Sequence, residues 1–142
     1  MKKLSARQRR QLLQRAREVA RKSYSPYSHF RVGAAVLTAK RVYAGTNVEN
    51  ASYGLTLCAE RSALAAAVAA EASPRIRAVA VACVDAGKHS AAGTRMPCGA
   101  CRQWIMELAP DAEIIVEGVA RNFTIQDLLG DPFTLHPRRP AR

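Results

Sequence analysis

The chain has 142 residues, is 49% hydrophobic and 23% charged, and carries a formal net charge of +11. That length suits one domain and that composition belongs to a chain with a packed core, which excludes global disorder. No apolar run approaches the ~18 residues that cross a bilayer, and the basic start Met1-Lys2-Lys3 has no apolar stretch behind it; this points to the cytoplasm, where the four cysteines stay reduced and available as metal ligands, nucleophiles or core residues.

Ser5-Ala6-Arg7-Gln8 fits a capping box, with Ser5 as N-cap and Gln8 reaching back. Leu12, Leu13, Ala16, Val19 and Ala20 follow at helical spacing and form one apolar face, with arginines on the other. The charge is concentrated here. Residues 1–41 hold twelve Lys/Arg against one Glu, whereas residues 42–142 balance ten against ten. A surplus of this size invites a nucleic-acid reading. No aromatic residues interleave with these charges as a stacking surface would require, so a solvated helix face is expected instead.

Residues 23–28 contain Pro26 and read as a loop. Residues 31–38 and 41–46 read as two strands joined by a tight turn at Ala39-Lys40. An Ala-rich helix is predicted over 57–71, with Thr56 as its N-cap. The β-branched run 76–84 reads as a buried strand. A Gly/Ser/Ala-rich loop fills 85–97, and a helix starts near Cys98 and ends before Pro110. Strands are predicted over 112–118 and 121–125, a short helix over 125–129, and a disordered basic tail over 136–142. The order α-β-β-α-β-α-β-β-α describes a single layered α/β domain over 1–135, one sheet with helices on its faces.

Three cysteines stand at helix starts. Cys58 opens one helix, and Cys98 and Cys101 share the first turn of the next, with both sulfurs on one face. Partial positive charge at a helix N-terminus favours thiolate, the form that zinc binds. Three protein ligands, rather than four, leave one position open for water, whose pKa falls to about 7. Such a site needs a proton carrier that is not itself a ligand, and Glu60 lies two residues after Cys58, at the start of the same helix. Cys58-Ala59-Glu60 followed by Pro97-Cys98-Gly99-Ala100-Cys101 matches the Cys-type signature of the zinc deaminases. Arg61 would offset the net negative charge of three thiolates around one divalent ion. Cys83, inside an apolar strand, reads as a core thiol, and no spacing supports His29 or His89 as ligands.

From about Leu12 to Phe133 the chain resembles the small homotetrameric cytidine deaminases. The resemblance rests on Pro26-Tyr27-Ser28-His29-Phe30-Arg31-Val32-Gly33-Ala34-Ala35, Asn47-Val48-Glu49-Asn50-Ala51-Ser52-Tyr53-Gly54, Cys58-Ala59-Glu60-Arg61 and Pro97-Cys98-Gly99-Ala100-Cys101-Arg102-Gln103. Nucleic-acid-editing deaminases generally lack the Asn-x-Glu-Asn-Ala segment. The resemblance implies a three-layer α/β fold with a mixed five-stranded sheet, one Zn²⁺ per chain on Cys58, Cys98 and Cys101, and deamination of free cytidine and deoxycytidine. It implies Asn47 and Glu49 at the ribose hydroxyls and Phe30 against the pyrimidine. The backbone around Ala59 and Pro97 would lie at the polar edge of the base, with Glu60 as proton shuttle. Tyr53 and Phe133 would complete a neighbouring subunit's site, and Arg61, Arg102 and Gln103 would support the ligands. Met96, where a small hydroxyl residue is usual, a longer loop over 85–95 and Gly130-Asp131-Pro132-Phe133 depart from the pattern. Rival readings are a deaminase of a modified cytosine nucleoside such as blasticidin S, a polynucleotide deaminase, and an idle zinc-stabilised module that binds RNA through its basic helix.

Overall fold

The computed structural model describes residues 3–135 and orders them as α1 (Ala6–Ala20), β1 (Val32–Thr38), β2 (Val42–Thr46), α2 (Ala59–Ala70), β3 (Ile76–Cys83), α3 (Gly99–Leu108) and β4 (Glu113–Val116). Single 3-10 turns at Tyr53–Leu55 and Ala92–Arg95 interrupt the loops. The tail predicted over 136–142 lies outside the described residues.

The strands form one sheet in the order β2-β1-β3-β4. β1 pairs antiparallel with both β2 and β3, and β3 pairs parallel with β4, so the sheet is mixed. β3 shows how the sequence builds the layers. Its side chains alternate with period two, and both faces are buried. Ala78, Ala80 and Ala82 face α1 with Leu12, Ala16 and Ala35. Val79, Val81 and Cys83 face the opposite core with Leu64, Ile105 and Ile114. The helices therefore cover both sides, giving the three layers expected.

Small residues set how closely the layers approach. A side chain at Gly33 would collide with the Ala16 carbonyl and the Ala20 amide of α1. A side chain at Gly45 would collide with the Ala63 amide of α2 and stand 2.6 Å from Ser62 Cβ. On the α2 side the larger residues fill the space. Leu64, Ile105 and Ile114 are fully buried, each stabilising the fold by roughly 1.5–3 kcal/mol relative to exposure.

The capping box forms as the sequence predicts, with Ser5 accepting from the Gln8 amide and Gln8 accepting from the Ser5 amide. Three local expectations need correction. The N-cap of α2 is Cys58, not Thr56. The fifth strand does not form, so the sheet has four strands among the described residues. Phe123 exchanges two backbone hydrogen bonds with Ile114, but the next amide, Thr124, donates to the Asp127 carboxylate instead of extending the ladder. The short helix expected over 125–129 is a hydrogen-bonded turn, in which Leu128 and Leu129 both donate to the Ile125 carbonyl.

Candidate active site

α2 and α3 start side by side, and their first residues bring three sulfurs together. Cys58 and Cys98 are the N-caps, both in extended conformation, and Cys101 lies in the first turn of α3. The three Sγ atoms lie within 4.8 Å of one another. Cys58 and Cys98 are 3.8 Å apart, and Cys98 and Cys101 are 3.3 Å apart. Sulfurs about 2.3 Å from a tetrahedral zinc stand about 3.8 Å from each other, so the cluster has the dimensions of a zinc site.

The charges fit a cation as well. A hydrogen bond from the Cys101 thiol draws Cys58 down to about 5 against the effect of burial, and Arg61 adds to the fall. The same contact, with burial, pushes the Cys101 thiol up. One thiolate thus makes the next harder to form, and a bound cation removes that conflict. Arg61 donates to the Thr56 carbonyl at 2.8 Å and to the Cys58 sulfur at 3.5 Å. It is the one guanidinium hydrogen-bonded to a sulfur of the cluster among the described residues, the location that charge-offset requires.

Glu60 sits beside the sulfurs on the first turn of α2 and is buried. Burial, with the Cys58 charge adding to it, pushes its carboxyl up to about 7. A carboxyl in that range gives and takes protons at neutral pH, as a general acid–base must. A cavity of about 250 Å³ opens over Glu60, Ala59, Cys58 and Cys98 and runs to Phe30, Asn47 and Glu49, with Cys101 buried behind it. Eight of the sequence-predicted positions, Phe30, Asn47, Glu49, Tyr53, Cys58, Ala59, Glu60 and Cys98, therefore meet in one space.

The far end of the cavity is held by hydrogen bonds rather than by a helix. Asn47 Oδ1 accepts from the Val32 amide at 2.9 Å and from Ser23 Oγ at 2.6 Å, and its Nδ2 donates to the Phe30 carbonyl at 2.9 Å. Glu49 Oε2 accepts from the Tyr27 and Ser28 amides, and Oε1 accepts from Ser28 Oγ. Burial alone would raise the Glu49 carboxyl, but the Ser28 and Tyr27 hydrogen bonds outweigh it and keep the carboxyl below its usual range. The carboxylate is thus present in charged form, ready to accept from a hydroxyl.

Tyr53 and Phe133 are exposed, at 57% and 70%, and Tyr53 reaches Glu49 with its hydroxyl at 3.5 Å. Gln103 donates to the Phe133 carbonyl at 2.7 Å, so its amide is hydrogen-bonded to the C-terminal segment and not to a sulfur. Arg102 donates to the Pro97 carbonyl at 2.8 Å and to the Leu128 carbonyl at 2.9 Å, fixing the backbone that leads into Cys98. Cys83 is buried as expected and also lines the cavity, with burial pushing its thiol up to about 12, so it stays protonated and apolar. Met96 lines the cavity too. Ser23 and Ser28 carry no metal or acid–base signal in the sequence. Only the place of Ser28 within the Pro26–Ala35 stretch, and of Ser23 just before it, could have pointed to them.

The family model described as the cytidine and deoxycytidylate deaminase zinc-binding region matches residues 6–117. A cytidine deaminase of Mycobacterium tuberculosis is 44% identical over 121 residues, which covers 84% of this chain and 85% of the relative. A cytidine deaminase of Halalkalibacterium halodurans is 41% identical over 131 residues, covering 89% and 94%. The crystal structure of cytidine deaminase from Burkholderia pseudomallei has a TM-score of 0.78 at 41% identity, over 92% of this chain and 100% of that one.

Proposed function

The chain belongs to the cytidine and deoxycytidylate deaminase family, and from that premise we propose that it converts free cytidine and deoxycytidine to uridine and deoxyuridine, releasing ammonia by hydrolysis. The observation that carries this reading is the buried carboxyl of Glu60 beside the Cys58, Cys98 and Cys101 sulfurs at the floor of the cavity. These cysteines would hold the zinc ion. When bound, zinc supplies a Lewis acid that lowers the pKa of a water to about 7.

The chain's own groups do the rest. Glu60 would take one proton from the attacking water and pass it to N3 of the base; it would then take the remaining proton of the hydroxyl now on C4 and deliver it to the amine, which leaves as ammonia as the C4 carbonyl forms. A carboxyl that titrates near neutrality suits both directions of that transfer. Phe30 packs its ring against the pyrimidine, and Asn47 and Glu49 bind the sugar hydroxyls. A sugarless base would forgo the hydrogen bonds to Asn47 and Glu49, so free cytosine is a poor substrate. Arg61 holds the Cys58 sulfur in its charged form.

The test is an absorbance and ammonia-release assay on the purified, zinc-quantified protein. Cytidine, deoxycytidine, cytosine, blasticidin S and single-stranded DNA are offered in turn. Turnover of the two nucleosides with about one zinc per chain supports the reading. Activity in metal-free protein, or turnover confined to blasticidin S or DNA, overturns it.

We propose further that the protein is a cytoplasmic homotetramer of single domains, spanning residues 1–135, and serves pyrimidine salvage. No helix among the described residues is long and apolar enough to cross a membrane. Exposed Tyr53 and Phe133 support a site shared with a second copy. An apolar groove between α2 and α3, lined by Val68, Trp104 and Leu108, supports packing of that copy against the helices. Sedimentation at micromolar concentration checks it: a monomer overturns the tetramer. The basic residues of α1 have no aromatics interleaved among them, so a nucleic-acid partner lacks support.

A further inference from the structure

The backbone of Phe30 is gripped from both sides by the residues assigned to the sugar. Its carbonyl accepts from Asn47 Nδ2 at 2.9 Å. Its amide donates to Ser28 Oγ at 3.1 Å, and that same hydroxyl donates to Glu49. One serine oxygen thus spends its proton on the carboxylate and a lone pair on the ring-bearing residue. Between the two, His29 has φ 54°, a conformation that side-chain-bearing residues seldom adopt. The His29 amide donates to the Ser25 carbonyl at 3.0 Å and closes the turn. The segment therefore takes a shape it would not choose alone, held by hydrogen bonds that converge on Glu49 and Asn47.

We propose that Ser28 is a positioning residue for the substrate, tying the Phe30 ring to the Glu49 carboxylate so that base and sugar contacts are set as one unit. The inference rests on the reading that the cavity takes a free nucleoside. Packing on the base and hydrogen bonds to the sugar are made before and during the reaction alike. Loosening them weakens ground and transition states together, which appears in KM and leaves kcat nearly unchanged. A residue that only stabilised the fold would lower Tm and leave KM alone.

Steady-state kinetics of the zinc-loaded full chain on cytidine and deoxycytidine test the proposal. Ser28→Ala is expected to raise KM roughly tenfold with kcat within about threefold, and Ser28→Thr, which keeps the hydroxyl, to return KM to within about threefold of the parent. Added to Glu49→Gln, Ser28→Ala is expected to raise KM by less than it does alone, because the tie has already lost one end. If Ser28→Ala does not fold, Ser28→Cys, a weak donor, is expected to show the same KM rise. An unchanged KM in the folded variant overturns the proposal, as does a fall in kcat alone or full additivity with Glu49→Gln. A parent protein that turns over neither nucleoside overturns the functional reading first and the proposal with it.

Discussion

The two ends of the cavity are built differently. At the thiol end, the first turns of α2 and α3 carry all three sulfurs and Glu60, so regular helix geometry fixes each side chain. At the far end, Phe30, Asn47 and Glu49 sit on loop backbone, and side-chain-to-backbone hydrogen bonds hold them. Helix starts give a rigid floor, on which loss of one group should remove the proposed chemistry. A hydrogen-bonded rim spreads its hold over several groups, so loss of one weakens binding by degrees.

The largest expected effect lies on the floor. Glu60→Gln should keep the zinc and the fold but lose turnover by roughly 10³-fold, measured as kcat beside metal content. A rate near that of the parent would place the proton carrier elsewhere and erase the contrast. Arg61→Ala comes next, with an expected fall in kcat of roughly 30-fold, about 2 kcal/mol, against a smaller change in Tm. Unchanged kinetics would refute the charge-offset role. Gly45→Ala tests whether the floor depends on how closely α2 approaches the sheet. The added carbon meets the α2 backbone at Ser62 and Ala63, so a loss of ~2 kcal/mol in urea unfolding is expected.

The smallest effect lies near the rim. Arg31, by hydrogen bond and charge, holds the Asp85 carboxyl down to about 2, from an ordinary value of 3.8. A folded value below the unfolded one means that the pair stabilises the protein above about pH 4 and loses that contribution as pH falls toward 2. Water reaches both partners, with Arg31 exposed and Asp85 half-buried, so the difference between parent and Asp85→Asn at pH 7 should stay under ~1 kcal/mol. Urea unfolding of both from pH 7 downward should show that gap closing; a gap that widened would reverse the sign.

The same contrast explains what could be read from the sequence. Cys58-Ala59-Glu60 and Pro97-Cys98-Gly99-Ala100-Cys101 are local, and helical geometry converts their spacing directly into proximity. The capping box of Ser5 and Gln8 and the two-faced strand β3 were legible for the same reason. Thr56 was misread as a cap because its residue type suits the role, whereas the helix begins two residues later. The strand expected at 121–125 was lost to a side chain, since Asp127 claims the Thr124 amide. Gln103 was read through its place after Cys101, but its amide is bound to Phe133. Ser28 was legible only as a member of the Pro26–Ala35 stretch and not by role, because its proposed role arises where the chain folds back across 21 residues onto Glu49.

Neither Cys58 nor Cys98 makes a side-chain hydrogen bond to the helix that it opens. Ser, Asp or Asn at such a position contributes about 1 kcal/mol, so the protein forgoes that gain at two adjoining helices. A screen for heat resistance alone, blind to turnover and run under chelation, would therefore enrich oxygen-bearing residues at 58 and 98. Its winners would be hardier and inert, a trade written into two atoms of the chain.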